Sequence, residues 1–169
     1  MKKDIILIGM PGCGKSTLGR KLASVLNRPF LDLDTVIEET SGKKISDIFD
    51  QDGEAGFRKL ETQAFHNIAG FGGVLATGGG VVTVPGNLEI AKQGLIVFVD
   101  RPLAALLDTI STAERPLLKG GKERLITLYE QRYDLYHNWA KIHVENTGTM
   151  EEAIEKIIKE VEYYENYGN

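Results

Sequence analysis

Residues 5–26 constrain the fold more than any other stretch of the chain. Ile5-Ile6-Leu7-Ile8 is an unbroken branched apolar run, the composition of a strand buried on both faces. It leads directly into Gly9-Met10-Pro11-Gly12-Cys13-Gly14-Lys15-Ser16-Thr17, after which Leu18, Leu22, Val25 and Leu26 recur at helical spacing. A Gly-x-x-x-x-Gly-Lys-Ser sequence between a strand and a helix is the phosphate-binding loop pattern in the context that confirms it. Its glycines let backbone N–H groups turn inward around phosphate oxygens, and the helix N-terminus adds positive potential. Gly12, Cys13, Gly14, Lys15, Ser16 and Thr17 are therefore the candidate nucleotide contacts. Lys15 would reach the β- and γ-phosphates, and the Ser16 hydroxyl would ligate Mg²⁺. The plain alternative is an ordinary glycine-rich turn, and the flanking strand and helix weigh against it. The loop alone does not say what is done with the nucleotide.

At 169 residues the chain reads as a single domain, 1–169, large enough to bury a core unaided. Its net charge of −4 and the lack of a long basic run argue against nucleic acid as a partner. A single cysteine, Cys13, excludes an internal disulfide and fits a reducing compartment. The short apolar run after Met1-Lys2-Lys3-Asp4 is too brief for a signal peptide or a membrane span. A cytoplasmic location without membrane contact is the expectation.

Arg28 to Asp34 reads as a second strand ending in two carboxylates. Asp32 and Asp34, two apart, would point the same way from its end. From Val36 to Gly53 isolated apolar anchors suggest short helices. Glu54 to Ile68 resumes helical order, with Phe57, Leu60, Ala64 and Ile68 as its stripe and Arg58 and Glu61 sharing another face. Val74 to Thr77 is a brief strand running into Gly78-Gly79-Gly80, and Pro85 to Gln93 a short helix. Leu95 to Val99 is a second buried strand, after which Asp100-Arg101-Pro102 starts a helix. The segment 111–122 has little periodicity and reads as a mobile loop. A helix over 123–137 carries Arg132, and Ile142 to Val144 is the last strand. Thr149 to Glu152 forms a capping box for an amphipathic final helix built on Ile154, Ile157, Ile158 and Val161. The tail from Tyr163 should fray.

Strands alternating with helices imply an α/β fold, a parallel sheet wrapped by helices on both faces. Ligands on such sheets bind at the carboxyl ends of the strands. Those ends carry the phosphate loop, Asp32 with Asp34, and Gly78 to Gly80.

Taken in order, the phosphate loop, Asp32-Leu33-Asp34, Phe57-Arg58-Lys59-Leu60-Glu61, Gly78-Gly79-Gly80, Arg115-Pro116-Leu117-Leu118, and Arg132 followed by Tyr136 and Ala140 resemble shikimate kinases. These are small P-loop kinases of the nucleoside-monophosphate-kinase type. The resemblance spans about Ile5 to His143, and the ordered series is far more specific than the loop alone. It implies a three-layer αβα fold with a five-stranded parallel sheet of order 2-3-1-4-5. It also implies a substrate-binding segment over 32–61, a lid over 111–122, ATP and shikimate as substrates, and a monomer. Asp34 would accept substrate hydroxyls and take the attacking proton, while Asp32 would sit behind Mg²⁺ through water. Arg58, aimed by Glu61, and Arg132 would clamp the shikimate carboxylate. Gly78, Gly79 and Gly80 would let the substrate approach the backbone. Arg115 would fold onto the ATP phosphates as the lid closes.

Each feature has a blander reading. Asp32 and Asp34 could be a helix cap, Arg58 with Glu61 a surface ion pair, and Arg115 and Arg132 solvated arginines. Asp100 ends a buried strand, where a metal ligand and a helix start are both open. His66, His137 and His143 lack metal-ligand spacing, and Trp139 reads as packing. One departure from the family stands out: Asp108 occupies the place where an arginine commonly stacks on adenine. Adenine contacts are then expected elsewhere, with the loop Asn146 to Gly148 the candidate. The competing readings are another small-molecule kinase, acting on gluconate or a nucleoside monophosphate, and a nucleotide-sensing module without turnover.

Overall fold

The computed structural model describes residues 2–109 and 120–168. Strands β1 (Ile5–Ile8), β2 (Phe30–Asp32), β3 (Val74–Ala76), β4 (Leu95–Asp100) and β5 (Ile142–Glu145) form one sheet in the order β2-β3-β1-β4-β5, every pairing parallel. This is the expected topology. β1 lies at its centre, with Ile5 opposite Val74 on one side and Leu95 on the other. Its four residues are all buried, which is why the run carries no alternation. β5 is an edge strand and does alternate: Ile142 and Val144 are buried, His143 and Glu145 exposed.

Helices α1 (Lys15–Leu26) and α7 (Met150–Tyr167) pack together on one face. On the other, α6 (Gly121–Trp139) packs on β4 and on α5 (Leu103–Asp108), while α3 (Ile45–Ile68) meets α4 (Asn87–Ala91). The sheet and these faces share one apolar cluster that runs from Ile5 to Val161. The start of β3 is fixed by Asp4, whose carboxylate is buried and accepts from the amides of Gly70 and Gly72 at 2.6 Å each and of Gly73 at 3.3 Å. α7 opens with the expected capping box between Thr149 and Glu152.

Three expectations are corrected. β2 ends at Asp32 rather than running on to Asp34. Asp32 caps α2 (Leu33–Ser41) by accepting from the Asp34 amide at 3.0 Å, so Asp34 stands in the first turn of a helix. The two carboxylates are placed by cap geometry and not by strand alternation. Next, α3 is broken by Gly53 (φ 68°), and beyond the break its buried face is Phe57, Glu61, Ala64 and Phe65. Leu60 and Ile68 are only partly buried, so the face is rotated from the predicted stripe and has a carboxylate in it. Last, the tail does not fray at Tyr163. α7 continues to Tyr167, held by an ion pair of Glu165 with Arg28 (2.5 Å) and by ring contacts among Tyr163, Tyr164 and Tyr167.

Arg115 and most of the expected lid, 111–122, lie outside the described residues.

Candidate active site

At the carboxyl ends of β1, β2 and β3 lies one cavity of about 550 Å³. Its two ends differ in chemistry.

The first end is the loop between β1 and α1. Gly14 precedes α1 with φ 94°, a left-handed conformation that a Cβ disfavours. Gly12, Gly14, Lys15, Ser16 and Thr17 line the cavity. Cys13 does not: its side chain is fully buried, its amide donates to Met10 O at 3.2 Å, and its carbonyl accepts from Asn146 Nδ2 at 2.9 Å. Lys15 is buried and its ammonium donates to Gly9 O (2.7 Å) and Met10 O (2.9 Å), two carbonyls of its own loop. Ser16 Oγ donates to Asp32 Oδ2. A hydroxyl and a carboxylate at a helix N-terminus are hard oxygen donors. Mg²⁺ takes one or two such protein ligands and completes its shell with phosphate and water, so this pair fits it. Among the described residues no cluster of three His, Cys, Asp or Glu side chains forms a separate metal cage.

The second end is cationic and partly apolar. Arg58 Nη1 donates to Glu61 Oε1 at 2.8 Å and Nη2 to Glu54 Oε1 at 3.3 Å. The guanidinium also lies 5.1 Å from the Phe57 ring centroid, within cation–π range. Arg132 enters from α6, only 3% exposed. Arg58 Nε, Glu61 Oε2 and Arg132 Nη1 are all buried without a hydrogen-bond partner. Buried polar groups in folded proteins are almost always paired, so three orphans around one cavity mark where a polar ligand belongs. Gly80 keeps that space open: a Cβ there would lie 2.0 Å from Arg58 Nη2. At Gly78 a Cβ would meet Glu61 Oε2 at 2.8 Å and Asp34 Oδ1 at 3.3 Å, so these two carboxylates converge over the glycine turn.

Electrostatics follow from this crowding. Asp34 opens to the cavity, yet the surrounding cleft withdraws it from bulk water and raises its pKa above the usual aspartate value. Asp32 adds repulsion, against lowering by Lys15 and Arg58. Burial likewise raises Glu61, and its pairing with Arg58 only partly offsets that. Asp100 stands apart from the cavity. It accepts from the Tyr133 hydroxyl at 3.2 Å at the end of β4, and its pKa is raised by burial.

The structure thus brings Lys15, Ser16, Asp32, Asp34, Arg58, Glu61, Gly78, Gly79, Gly80 and Arg132 into and around one cleft. Asp108 is exposed at the end of α5, whereas the Asn146 loop abuts the phosphate loop. Sequence reasoning gave no site role to Pro11, Ile45, Phe49 and Phe57, which also line the cavity. Phe49 and Phe57 form a ring pair at 4.7 Å, an apolar wall for a ring-shaped substrate. The adjacency of Phe57 and Arg58 was the available signal, but an aromatic residue on a helix reads first as core.

The shikimate kinase family model matches residues 11–162. A shikimate kinase of Clostridium botulinum (strain Alaska E43 / Type E3) is 47% identical over 161 residues, 94% of this chain and 97% of that protein. Another, from C. botulinum strain Eklund 17B / Type B, is 46% identical over the same shares. The solved structure of shikimate kinase from Acinetobacter baumannii in complex with shikimate has a TM-score of 0.91 at 35% identity, covering 100% of this chain and 97% of that one. Cavity, motif order, whole-chain likeness and family match agree: the chain belongs to the shikimate kinase family.

Proposed function

We propose that the cavity transfers the γ-phosphoryl group of ATP to the 3-hydroxyl of shikimate, yielding ADP and shikimate 3-phosphate on the route to aromatic amino acids. The observation that carries this reading is the pair of arginines with buried, unpartnered N–H groups, Arg58 Nε and Arg132 Nη1, at the end of the cavity away from the phosphate loop. A carboxylate on a ring satisfies both, and the Phe49–Phe57 wall suits the ring itself.

In this reading Lys15 exchanges its two loop carbonyls for β- and γ-phosphate oxygens when nucleotide enters. Ser16, and Asp32 through water, would hold Mg²⁺, which would supply charge neutralisation at the phosphate oxygens. Asp34 accepts the substrate hydroxyl and takes its proton as the oxygen attacks phosphorus. Its pKa, raised chiefly by burial, makes the carboxylate a stronger base than an ordinary aspartate. Arg115, outside the described residues, is assigned to the transferring phosphoryl group, with 111–122 as the closing lid. The Asn146 loop is assigned to the adenine. Catalysis is then positioning plus charge neutralisation.

We also read the enzyme as a cytoplasmic monomer. Its single cysteine suits a reducing compartment, and among the described residues no helix is long and apolar enough to cross a membrane.

The test is a coupled ADP-release assay with shikimate, gluconate, AMP and CMP as acceptors. Shikimate alone should drive release. Equal release with gluconate or a nucleoside monophosphate would overturn the assignment.

A further inference from the structure

Among the described residues Tyr136 is the largest fully buried side chain, and neither nucleotide nor acceptor has been assigned to it. It lies on α6 one turn beyond Arg132, on the same face. Its hydroxyl donates to Gly79 O at 2.5 Å, with Met10 Sδ 3.7 Å away. Its ring stacks on Phe98 of β4, centroids 5.3 Å apart. Gly79 in turn rests on the phosphate loop: a Cβ there would lie 2.7 Å from Pro11 Cδ. One hydroxyl thus ties together the helix that carries Arg132, the glycine turn at the acceptor end and the start of the phosphate loop.

We propose that Tyr136 is a positioning residue for phosphoryl transfer, setting the distance between the acceptor-side turn and the phosphate loop without touching either substrate. The inference rests on the shikimate kinase reading for its kinetic consequences and on geometry alone for the tie itself. Transfer between two bound substrates depends steeply on their mutual placement, and a misplacement of about 1 Å can cost about a hundred-fold. The tie has the properties this needs. The stacked ring leaves the hydroxyl little freedom. Burial also raises the phenol pKa far above its usual value, so the group stays a donor across the working range.

Tyr136→Phe keeps the ring and its stacking and removes the hydroxyl, and with it both the tie to Gly79 and the bond to Arg132, so rates are compared at saturating shikimate. Phe98→Leu removes the ring on which Tyr136 is stacked while leaving every cavity-lining residue in place, and serves should the Phe variant fold poorly. Two measurements are made on each variant and on wild type. The first is ADP release with and without shikimate. The shikimate-dependent rate should fall about ten- to a hundred-fold, while release to water and the KM for ATP stay near wild type. A merely structural loss would lower both rates together, and that proportional fall would overturn the proposal. The second is amide exchange at Val81 and Thr83, which close the turn on the carbonyls of Gly78 and Gly80. Exchange there should quicken while that of Leu18 in α1 does not; unchanged exchange at Val81 and Thr83 would equally overturn it. Faster exchange in a protein whose wild type ignores shikimate would support the tie and overturn the assignment of substrate instead.

Discussion

Glu61 lies wholly inside the protein and accepts from Arg58 at 2.8 Å, while its second oxygen has no partner. One carboxylate therefore aims the guanidinium and remains under-satisfied itself. Its pKa is raised above the ordinary glutamate value of 4.5, chiefly by burial. The folded state thus holds this proton more tightly than the unfolded chain does. Stability from this group is greatest at low pH and is lost as pH rises from 4.5 through the raised folded value. Glu61→Gln removes that slope. Melting temperatures of wild type and variant measured from pH 4 to 8 should show wild type losing ground to the variant as pH rises. The KM for shikimate of the variant should be higher, because Arg58 loses its charged guide. A difference in melting temperature that does not change with pH would contradict this account.

Lys15→Ala should lower kcat by at least ~10²-fold, the effect of removing a preorganised positive donor from the transferring phosphoryl group. The structure adds a cost in stability. Gly9 O and Met10 O both lose the ammonium; Met10 O keeps the Cys13 amide, and leaving the Gly9 carbonyl unpaired costs about 1–3 kcal/mol. Denaturant titration beside steady-state kinetics separates the two effects. Near-normal transfer by this variant would sink the role of the loop.

Arg58→Ala and Arg132→Ala should each weaken shikimate far more than ATP. A charge-assisted hydrogen bond contributes roughly 1.5–3 kcal/mol, about ten- to a hundred-fold in binding for each arginine. Shikimate methyl ester is the decisive comparison. Wild type should discriminate strongly against the ester and either variant much less. Equal turnover of acid and ester by wild type would mean that no carboxylate clamp exists.

Far from the cavity, Asp4 offers a test of how β3 is placed. Asp4→Ala strands three amides, a loss of about 1–3 kcal/mol, while kcat should be unchanged wherever the variant remains folded. Asp4→Asn retains one acceptor oxygen and should lose less. Urea midpoints give the ordering, and alanine matching wild type would show that the carboxylate does not anchor this loop.

Much of the fold was legible because its signals are local. β1 and β4 announce themselves as branched runs, the phosphate loop carries its own flanks, and the capping box at Thr149 needs only four residues. The strand order was another matter. Nothing local says that β3 lies between β2 and β1, and it came from the resemblance alone. The end of β2 was misjudged because an aspartate that caps a helix and one that ends a strand look alike in sequence. The buried face of α3 was misjudged because Glu61 occupies it, and a charged residue is invisible to an apolar pattern. Backbone partners left no trace either: the acceptors of Lys15 and Tyr136 are carbonyls of Gly9, Met10 and Gly79, which any residue supplies.

Asp32 has two oxygens and both are committed, Oδ1 to the Asp34 amide and Oδ2 to the Ser16 hydroxyl. A change at this position is therefore pleiotropic. Glutamate, with one more methylene, cannot keep both contacts in the same geometry, and asparagine replaces one acceptor oxygen by a donor. A survey of variants at Asp32 would report disturbed metal use and disturbed acceptor use together, because the residue that steadies Ser16 also sets the helix from which Asp34 projects. Dissecting the two defects calls for pairing each Asp32 variant with a change at Ser16 or Asp34. The coupling energy, rather than either single effect, tells which oxygen each substrate depends on.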